Sequence, residues 1–341
     1  MKINNKIFFL ICLVMGGIYA QKPDNSVDNK AFVIAFGSCN KVEEPNPFWE
    51  QVTTLEPDLF IWGGDNIYAD TGNMKKMEKM YNAQNANPEY AKVKAQIPIM
   101  ATWDDHDYGK NDAGKEWRKK EKSQQLFLDF LDVDKNDPRR NQDGIYYAEN
   151  FSKGEKEIKV IVLDTRYFRS APLPSPHPNK RYTPAVDSSV TLLGARQWEW
   201  LEDQLVNNTA DFTFVMSSIQ LLSGEHGFET WGNFPIEVDR FLNLLEKSKA
   251  KNVIILSGDR HISEFSKKVS PQLGYPLIDF TSSGLTHAYT QFDGEPNKYR
   301  VGNVIAERSF GVIKVDLATN NVIFEIIGAD GDQLQKIEQN Y

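Results

Sequence analysis

The hydrophobic positions of this chain fall into short, dense runs, and nearly every run is cut off by glycine or by a polar cluster. Ala31-Phe-Val-Ile-Ala-Phe36 is unbroken, which predicts a strand buried on both faces. Asp58-Leu-Phe-Ile-Trp62, Ile97-Pro-Ile-Met-Ala-Thr-Trp103, Ile158-Lys-Val-Ile-Val-Leu163, Phe212-Thr-Phe-Val-Met216, Asn252-Val-Ile-Ile-Leu256 and Pro276-Leu-Ile-Asp-Phe280 predict further strands, and Tyr146-Tyr147 starts another. Gly311 to Asp316 and Asn321 to Ile327 predict a terminal hairpin, with Ala-Thr-Asn-Asn as its turn. Between the runs, apolar residues recur at three and four. Pro47 to Leu55, Met74 to Tyr81, Glu116 to Leu131, Ala195 to Leu205 and Val238 to Lys247 therefore predict helices. Strands alternating with helices give an α/β class with parallel strands. Residues 170–190 hold Pro172, Pro174, Pro176, Pro178 and Pro184, which excludes regular structure there and predicts a long loop: a lid, a rim or plain surface. No internal repeat or low-complexity linker interrupts the pattern, so residues 21–341 are expected to form one domain.

The polar clusters that end the strands carry the chemistry. The first strand runs into Gly37-Ser-Cys-Asn40 and the second into Gly63-Gly-Asp-Asn-Ile-Tyr-Ala-Asp70. The third runs into Asp104-Asp-His-Asp107, followed by Asn111 and Asp112. A later one ends in Ser257-Gly-Asp-Arg-His261. Parallel strands bring such exits to one sheet edge, where open α/β folds bind ligands. Taken singly, each cluster is also a polar turn. Together they place a thiol, a phenol, carboxylates and an imidazole at four exits, a donor set for metal ions. Thiolate, phenolate and imidazole suit a transition metal, and carboxylates suit a hard cation; Asp65 is positioned to join the two. Asp164-Thr-Arg166 follows another strand. Arg166 suits a phosphoryl oxygen, because its planar fork donates two hydrogen bonds, or pairs structurally with Asp164. His226 and His287 are read as structural or rim residues.

Composition narrows the picture. The chain has 341 residues and a net charge of −8, so a basic nucleic-acid-binding face is not expected. There is no P-loop and no Gly-x-Gly-x-x-Gly fingerprint. Lys2, Lys6, the apolar run Ile7 to Met15 and the small residues before Ala20 form the pattern of a secretory signal peptide, cleaved after Ala20. Its loss removes two lysines and no acids, which takes the charge from −8 to −10 and leaves no transmembrane segment in the mature chain. The expected location is secreted or periplasmic. Cys39 is then a lone thiol outside the cytoplasm: a buried inert group, an intermolecular bridge or a metal ligand.

Gly37-Ser-Cys-Asn40, Gly64-Asp-Asn-Ile-Tyr-Ala-Asp70, Trp103-Asp-Asp-His-Asp107, Gly258-Asp-Arg-His261 and the Thr-Ser-Ser-Gly run at 281–284 resemble the alkaline phosphatase D (PhoD-type) family of the calcineurin-like metallophosphoesterases. The resemblance implies a four-layer α/β/β/α sandwich of two mixed sheets. It also implies a centre of Fe(III) and one or two Ca²⁺, with other divalent metals possible. Carried over, Cys39, Tyr68 and His261 bind iron, Asp65 bridges, and Asp105 and Asp259 bind calcium with Asn111 as a further ligand. His106 meets the substrate phosphate or leaving group, and Arg166 binds phosphate oxygens. The implied activity is phosphoric monoester or diester hydrolysis by a metal-activated water. Alternatives are a non-catalytic metal-binding protein on the same fold, a phospholipase D-like enzyme and a sulfate-ester hydrolase. Monoester or diester preference, natural substrate and oligomeric state are not legible.

Overall fold

The computed structural model describes residues 31–341; the signal-peptide expectation for residues 1–20 lies outside them. The chain opens with β1 (Phe32–Gly37), α1 (Phe48–Leu55), β2 (Leu59–Gly63), α2 (Met74–Asn85), α3 (Pro88–Gln96) and β3 (Ile99–Thr102). It continues through α4 (Asp105–Tyr108), α5 (Lys120–Phe130), β4 (Tyr147–Lys153), β5 (Lys156–Val162), β6 (Leu173–Pro174) and β7 (Tyr182–Thr183). There follow α6 (Gly194–Val206), β8 (Phe212–Met216), α7 (Pro235–Lys247), β9 (Val253–Ser257), β10 (Ser263–Val269) and β11 (Pro276–Ser282). The last strands are β12 (Arg300–Ile305), β13 (Ser309–Asp316), β14 (Asn321–Gly328) and β15 (Gln333–Asn340).

Two large mixed sheets result. One has six strands in the order β15-β14-β13-β1-β2-β3; the other has seven in the order β12-β10-β11-β9-β8-β5-β4. Within the first, β1, β2 and β3 are parallel neighbours, with Gly37 opposite Trp62 and Gly63 opposite Thr102. Within the second, β5, β8, β9 and β11 are parallel. Strands such as β1, β2, β8 and β9 are buried on both faces, which is why they read as continuous apolar runs rather than alternating ones.

Three apolar clusters define four layers. Phe36, Ile61, Val162, Met216, Leu256 and Phe280 belong to the cluster between the two sheets. Trp49, Trp62, Met77, Tyr90 and Phe130 pack α1, α2, α3 and α5 onto the first sheet. Trp198, Leu201, Phe241 and Ile255 pack α6 and α7 onto the second. The arrangement is an α/β/β/α sandwich, and the carboxyl ends of both parallel sets meet along one edge.

Two details differ from the sequence expectation. The terminal hairpin has a third strand, β15, so β13-β14-β15 is a meander. The proline-rich stretch is not wholly irregular, because β6 and β7 pair across two residues, Leu173 with Thr183 and Pro174 with Tyr182. Pro174 lies in a two-residue edge strand, a position where proline is tolerated.

Candidate metal centre

The strand exits converge because glycines let them. Gly64, just past β2, has φ +96°, and a Cβ there would stand 2.6 Å from the Asp104 Cβ at the exit of β3. A Cβ on Gly258, past β9, would come within 2.7 Å of the Gly63 carbonyl oxygen and 2.5 Å of Ser38 Oγ. The two sheets are thus stitched together at backbone distance where the ligand-bearing loops begin. Cys39, Asp65, Asp259 and His261 hold φ angles of 63°, 52°, 66° and 54°. Left-handed conformations at non-glycine residues are costly, and four of them at one sheet edge mark a constrained site.

The side chains gather around Asp65. Its Oδ2 is 3.5 Å from Cys39 Sγ and accepts from the Tyr68 hydroxyl at 3.1 Å. That hydroxyl is 2.9 Å from His261 Nε2. Donor atoms of Cys39, Asp65 and His261 lie within 4.8 Å of one another. The same limit encloses Asp65 with Asp105 and His106, and Asp105 with Asp104 and Asp259. Asp65 and Asp105 therefore link a thiol–imidazole group to a carboxylate group. The structure brings Cys39, Asp65, Tyr68, Asp105, Asp259 and His261 together from β1, β2, β3 and β9.

Burial and crowded acids set the electrostatics of the site. Burial, then the Cys39 and other nearby anions, push the Asp65 carboxyl well above its usual range. Burial, with Asp104 and Asp105, raises Asp259 to about 8. Burial lifts the Cys39 thiol to about 12, against a lowering hydrogen bond from Ser283 Oγ at 3.0 Å. Burial, with Asp65 beside it, also raises Tyr68. Burial and the neighbouring His106 and Arg260 lower His261 to about 4, so it offers a neutral imidazole. Bound cations reverse the raised shifts of the acids and deepen the lowering at His261, because they favour the deprotonated ligands. Thiol, phenol and imidazole around one carboxylate fit a transition metal, and the carboxylates fit a hard oxygen-seeking cation.

His106 stands at the N-terminal turn of α4, stacked on Tyr68 with centroids 4.2 Å apart. Its Nδ1 is 2.7 Å from Asp70 Oδ2. Burial opposes its protonation, but Asp65, Asp70 and Asp105 outweigh burial and raise it to about 10. Asn111 is exposed on the cavity wall, with its backbone N–H donated to Asp70 at 3.2 Å.

Arg166 departs from the phosphate-binding expectation. It is fully buried, and its Nε donates to Asp104 at 2.5 Å. Its two terminal nitrogens donate to Glu229 at 3.0 and 2.9 Å. Only its backbone N–H reaches Asp164, so the pairing with that residue is also not made by the guanidinium. Arg169 joins from the other side, bonding Glu229 and the Asp112 carbonyl. These contacts leave Arg166 supporting the floor of the site rather than facing the cavity.

Several residues at the site had no ligand or catalytic role in the sequence reading. Asp112 and Glu229 share a donor group with Asp105. Asp112 belongs to the acidic run after β3 and was within reach of the pattern; Glu229 sits in a loop with no motif. Asp70 ends the Gly-Asp motif, yet its role depends on a distance to His106 that spacing cannot give. His287 packs on Tyr68 and His261, with centroids 5.0 and 4.4 Å away, and its Nε2 has no hydrogen-bond partner. A cavity of about 310 Å³ opens over Asp65, Asp105, His106, Asp259 and His261.

Comparison with known proteins adds a family. The profile for PhoD-like phosphatase matches residues 34–301. The chain is 24% identical to alkaline phosphatase D of Bacillus subtilis (strain 168) over 308 residues, covering 77% of this chain. It spans about half the length of that relative, 52%. A solved structure of PhoD superposes with a TM-score of 0.70 at 18% identity, covering 91% of this chain and 68% of that one. The purple acid phosphatase PPD1 from yellow lupin (Lupinus luteus) seeds superposes with a TM-score of 0.59 at 13% identity, covering 92% and 55%.

Proposed function

The chain belongs to the PhoD-like phosphatase family, and from that membership and the geometry at Asp65 we propose that it is a metal-dependent phosphoric ester hydrolase acting outside the cytoplasm. The reading rests chiefly on one observation: Asp65 and Asp105 join two donor groups into a single cluster beneath an open cavity. We assign Cys39, Tyr68 and His261 to Fe(III), Asp65 as the bridge, and Asp105 and Asp259 to one or two Ca²⁺ with Asn111 or Asp112 completing the shell. Other divalent metals are compatible with the carboxylate side. The proposed location rests on the signal-peptide pattern of residues 1–20, and residues 21–341 are read as one domain. No helix among the described residues is long and apolar enough to cross a membrane.

Cations bound in this cluster supply Lewis acidity toward a phosphoryl oxygen and lower the pKa of water. The chain's own groups do the rest. Asp65 fixes the spacing between the two halves of the cluster. Tyr68 holds the His106 ring by stacking, and Asp70 orients it through Nδ1, so that Nε2 carries a proton toward the departing alkoxide. Arg166 takes no part in substrate binding in this reading; it neutralises Asp104 and Glu229 and so keeps the acidic floor foldable.

The test is hydrolysis of p-nitrophenyl phosphate and bis-p-nitrophenyl phosphate by the full-length protein, with metal replete and with chelator. The expected result is release of nitrophenol from at least one ester, abolished by chelation. Absence of turnover of both by a metal-replete sample would overturn the proposal.

A further inference from the structure

The cavity above the cluster has a second wall that hydrolysis of a simple phosphate ester does not require. Seven large hydrophobic side chains are exposed among the described residues, and only two are aromatic: Phe228 at 37% and Tyr289 at 38%. Both line this cavity, as do Arg181 and Arg260. The Arg260 guanidinium lies over the Phe228 ring at 4.5 Å and is anchored on Glu295 at 2.6 Å. Arg260 is 8% exposed, yet its buried Nε–H has no hydrogen-bond partner. That is an unpaired donor on a side chain lining the cavity, a situation that native interiors avoid. Arg181 sits at the mouth with half its side chain exposed, paired with Asp112 at 2.5 Å, its only ion-pair partner among the described residues.

The wall is built rather than incidental. The proline-rich segment that presents Arg181 is fastened to the loop that presents Phe228. Tyr182 N–H donates to the Gly227 carbonyl at 2.8 Å, and Lys180 Nζ to the Glu225 carbonyl at 3.0 Å. Gly227 has φ +86°, and a Cβ there would lie 2.6 Å from Lys180 Cγ, so the two loops touch closely. The Tyr182 hydroxyl adds a bond to Asp112. Tyr289 N–H donates to the His261 carbonyl at 2.7 Å, which ties the second aromatic to the metal-ligand loop.

Around one cavity the structure gathers a metal-ligand cluster, two guanidinium groups held by carboxylates, and two exposed aromatic faces. Resting on the hydrolase reading above, we propose that the substrate is a nucleotide-type phosphoester. Its terminal phosphoryl group lies at the cluster, its inner phosphate on Arg260 and Arg181, and its base against Phe228 and Tyr289. Arginine forks match phosphate oxygens, and exposed aromatics stack planar bases with little sequence preference. A lipid phosphate would call for a long aliphatic groove, and a polyol phosphate would use neither ring. In the reaction, the bond between the terminal phosphorus and the bridging oxygen breaks. An oxygen from water bonds to that phosphorus, and the bridging oxygen leaves on the nucleotide remnant with a proton from His106.

The experiment compares phosphate release from adenosine 5′-diphosphate, adenosine 5′-monophosphate and glycerol 3-phosphate by the metal-replete full chain. Stacking and a second charged contact predict kcat/KM rising by about tenfold from glycerol 3-phosphate to the monophosphate, and about tenfold again to the diphosphate. Arg181→Gln should bring the diphosphate down to the monophosphate, and Phe228→Leu with Tyr289→Leu should bring the monophosphate down toward glycerol 3-phosphate. Melting temperatures equal to the parent's exclude a folding defect at these exposed positions. Equal kcat/KM for all three substrates, or variants that lower all three in parallel, would overturn the nucleotide site and leave the hydrolase standing. Absence of phosphate release from any of them would overturn both.

Discussion

Replacing Arg166 by methionine separates a structural role from a substrate-binding one. The side chain is fully buried and bonds two buried carboxylates, Asp104 and Glu229. Methionine keeps much of the packing volume but leaves Glu229 with Arg169 as its charged partner and Asp104 with the neutral Ser218 hydroxyl at 2.7 Å. Removing one partner of a buried ion pair costs ~3–5 kcal/mol, because the remaining charge stays desolvated. With ~2.1 cal/mol/K of unfolding entropy per residue, a chain of this size loses roughly 1.5 °C per kcal/mol, so the melting temperature should fall by about 5–8 °C. Thermal and urea unfolding of metal-replete protein measure the loss. The KM of the folded variant for p-nitrophenyl phosphate should stay close to the parent's. An unchanged melting temperature together with a KM raised about tenfold or more, the loss of one charged hydrogen bond of ~1.5–3 kcal/mol, would refute the reasoning and return Arg166 to the substrate.

Asp70→Asn should lower kcat for alkyl phosphates by about tenfold or more, since a positioned general acid supplies ~10²–10⁴; nitrophenyl esters, whose leaving group needs little protonation, should lose less, and an equal loss on both would contradict the role. Metal-free protein should lose stability as pH rises from 6.5 to 8. Asp259 is raised to about 8 from 3.8 and His106 to about 10 from 6.5, so in that window the folded state holds protons that the unfolded chain has released. The lowered histidines, His261 at about 4 and His287 and His226 at about 3, act in the opposite sense but below pH 6.5. Urea midpoints at the two pH values check this, and a midpoint that rises across the window would refute it. If Tyr68 and Cys39 hold Fe(III), the purified protein should absorb visible light through the tyrosinate; a colourless, iron-free and fully active preparation would refute the iron assignment and spare the hydrolase.

The legible part of the fold was the part buried on both faces. β1, β2, β8 and β9 announced themselves as apolar runs, and the glycines behind β2 and β9 marked their ends. β12 and β15 did not, because both are sheet-edge strands of half-buried and exposed residues with no hydrophobic run. α3 lacks a strong apolar stripe, and its sequence signals are the Asn87 cap and Pro88 at its first position. At the site, residue type and strand exit were enough to nominate Cys39, Asp65, Tyr68, the Asp104–Asp107 cluster, Asp259 and His261, and the family resemblance singled out Asp105 within that cluster. They were not enough for Arg166. Sequence places an arginine after β5, but the direction of its guanidinium depends on Asp104 and on Glu229, which is 63 positions later in a loop without a motif. Asp70 was visible but mute, since its meaning lies in one 2.7 Å contact across 36 residues.

The central claim is that a metal cluster organised by Asp65 performs the hydrolysis. It is tested most directly by measuring bound metal per chain and nitrophenol release on the same samples, as chelated protein is titrated back with iron and calcium. Activity should return in step with bound metal for the parent chain. Asp65→Asn should bind less of both metals and remain inactive at saturating metal. Near-parental turnover by metal-replete Asp65→Asn, or full activity in the chelated parent, would contradict it.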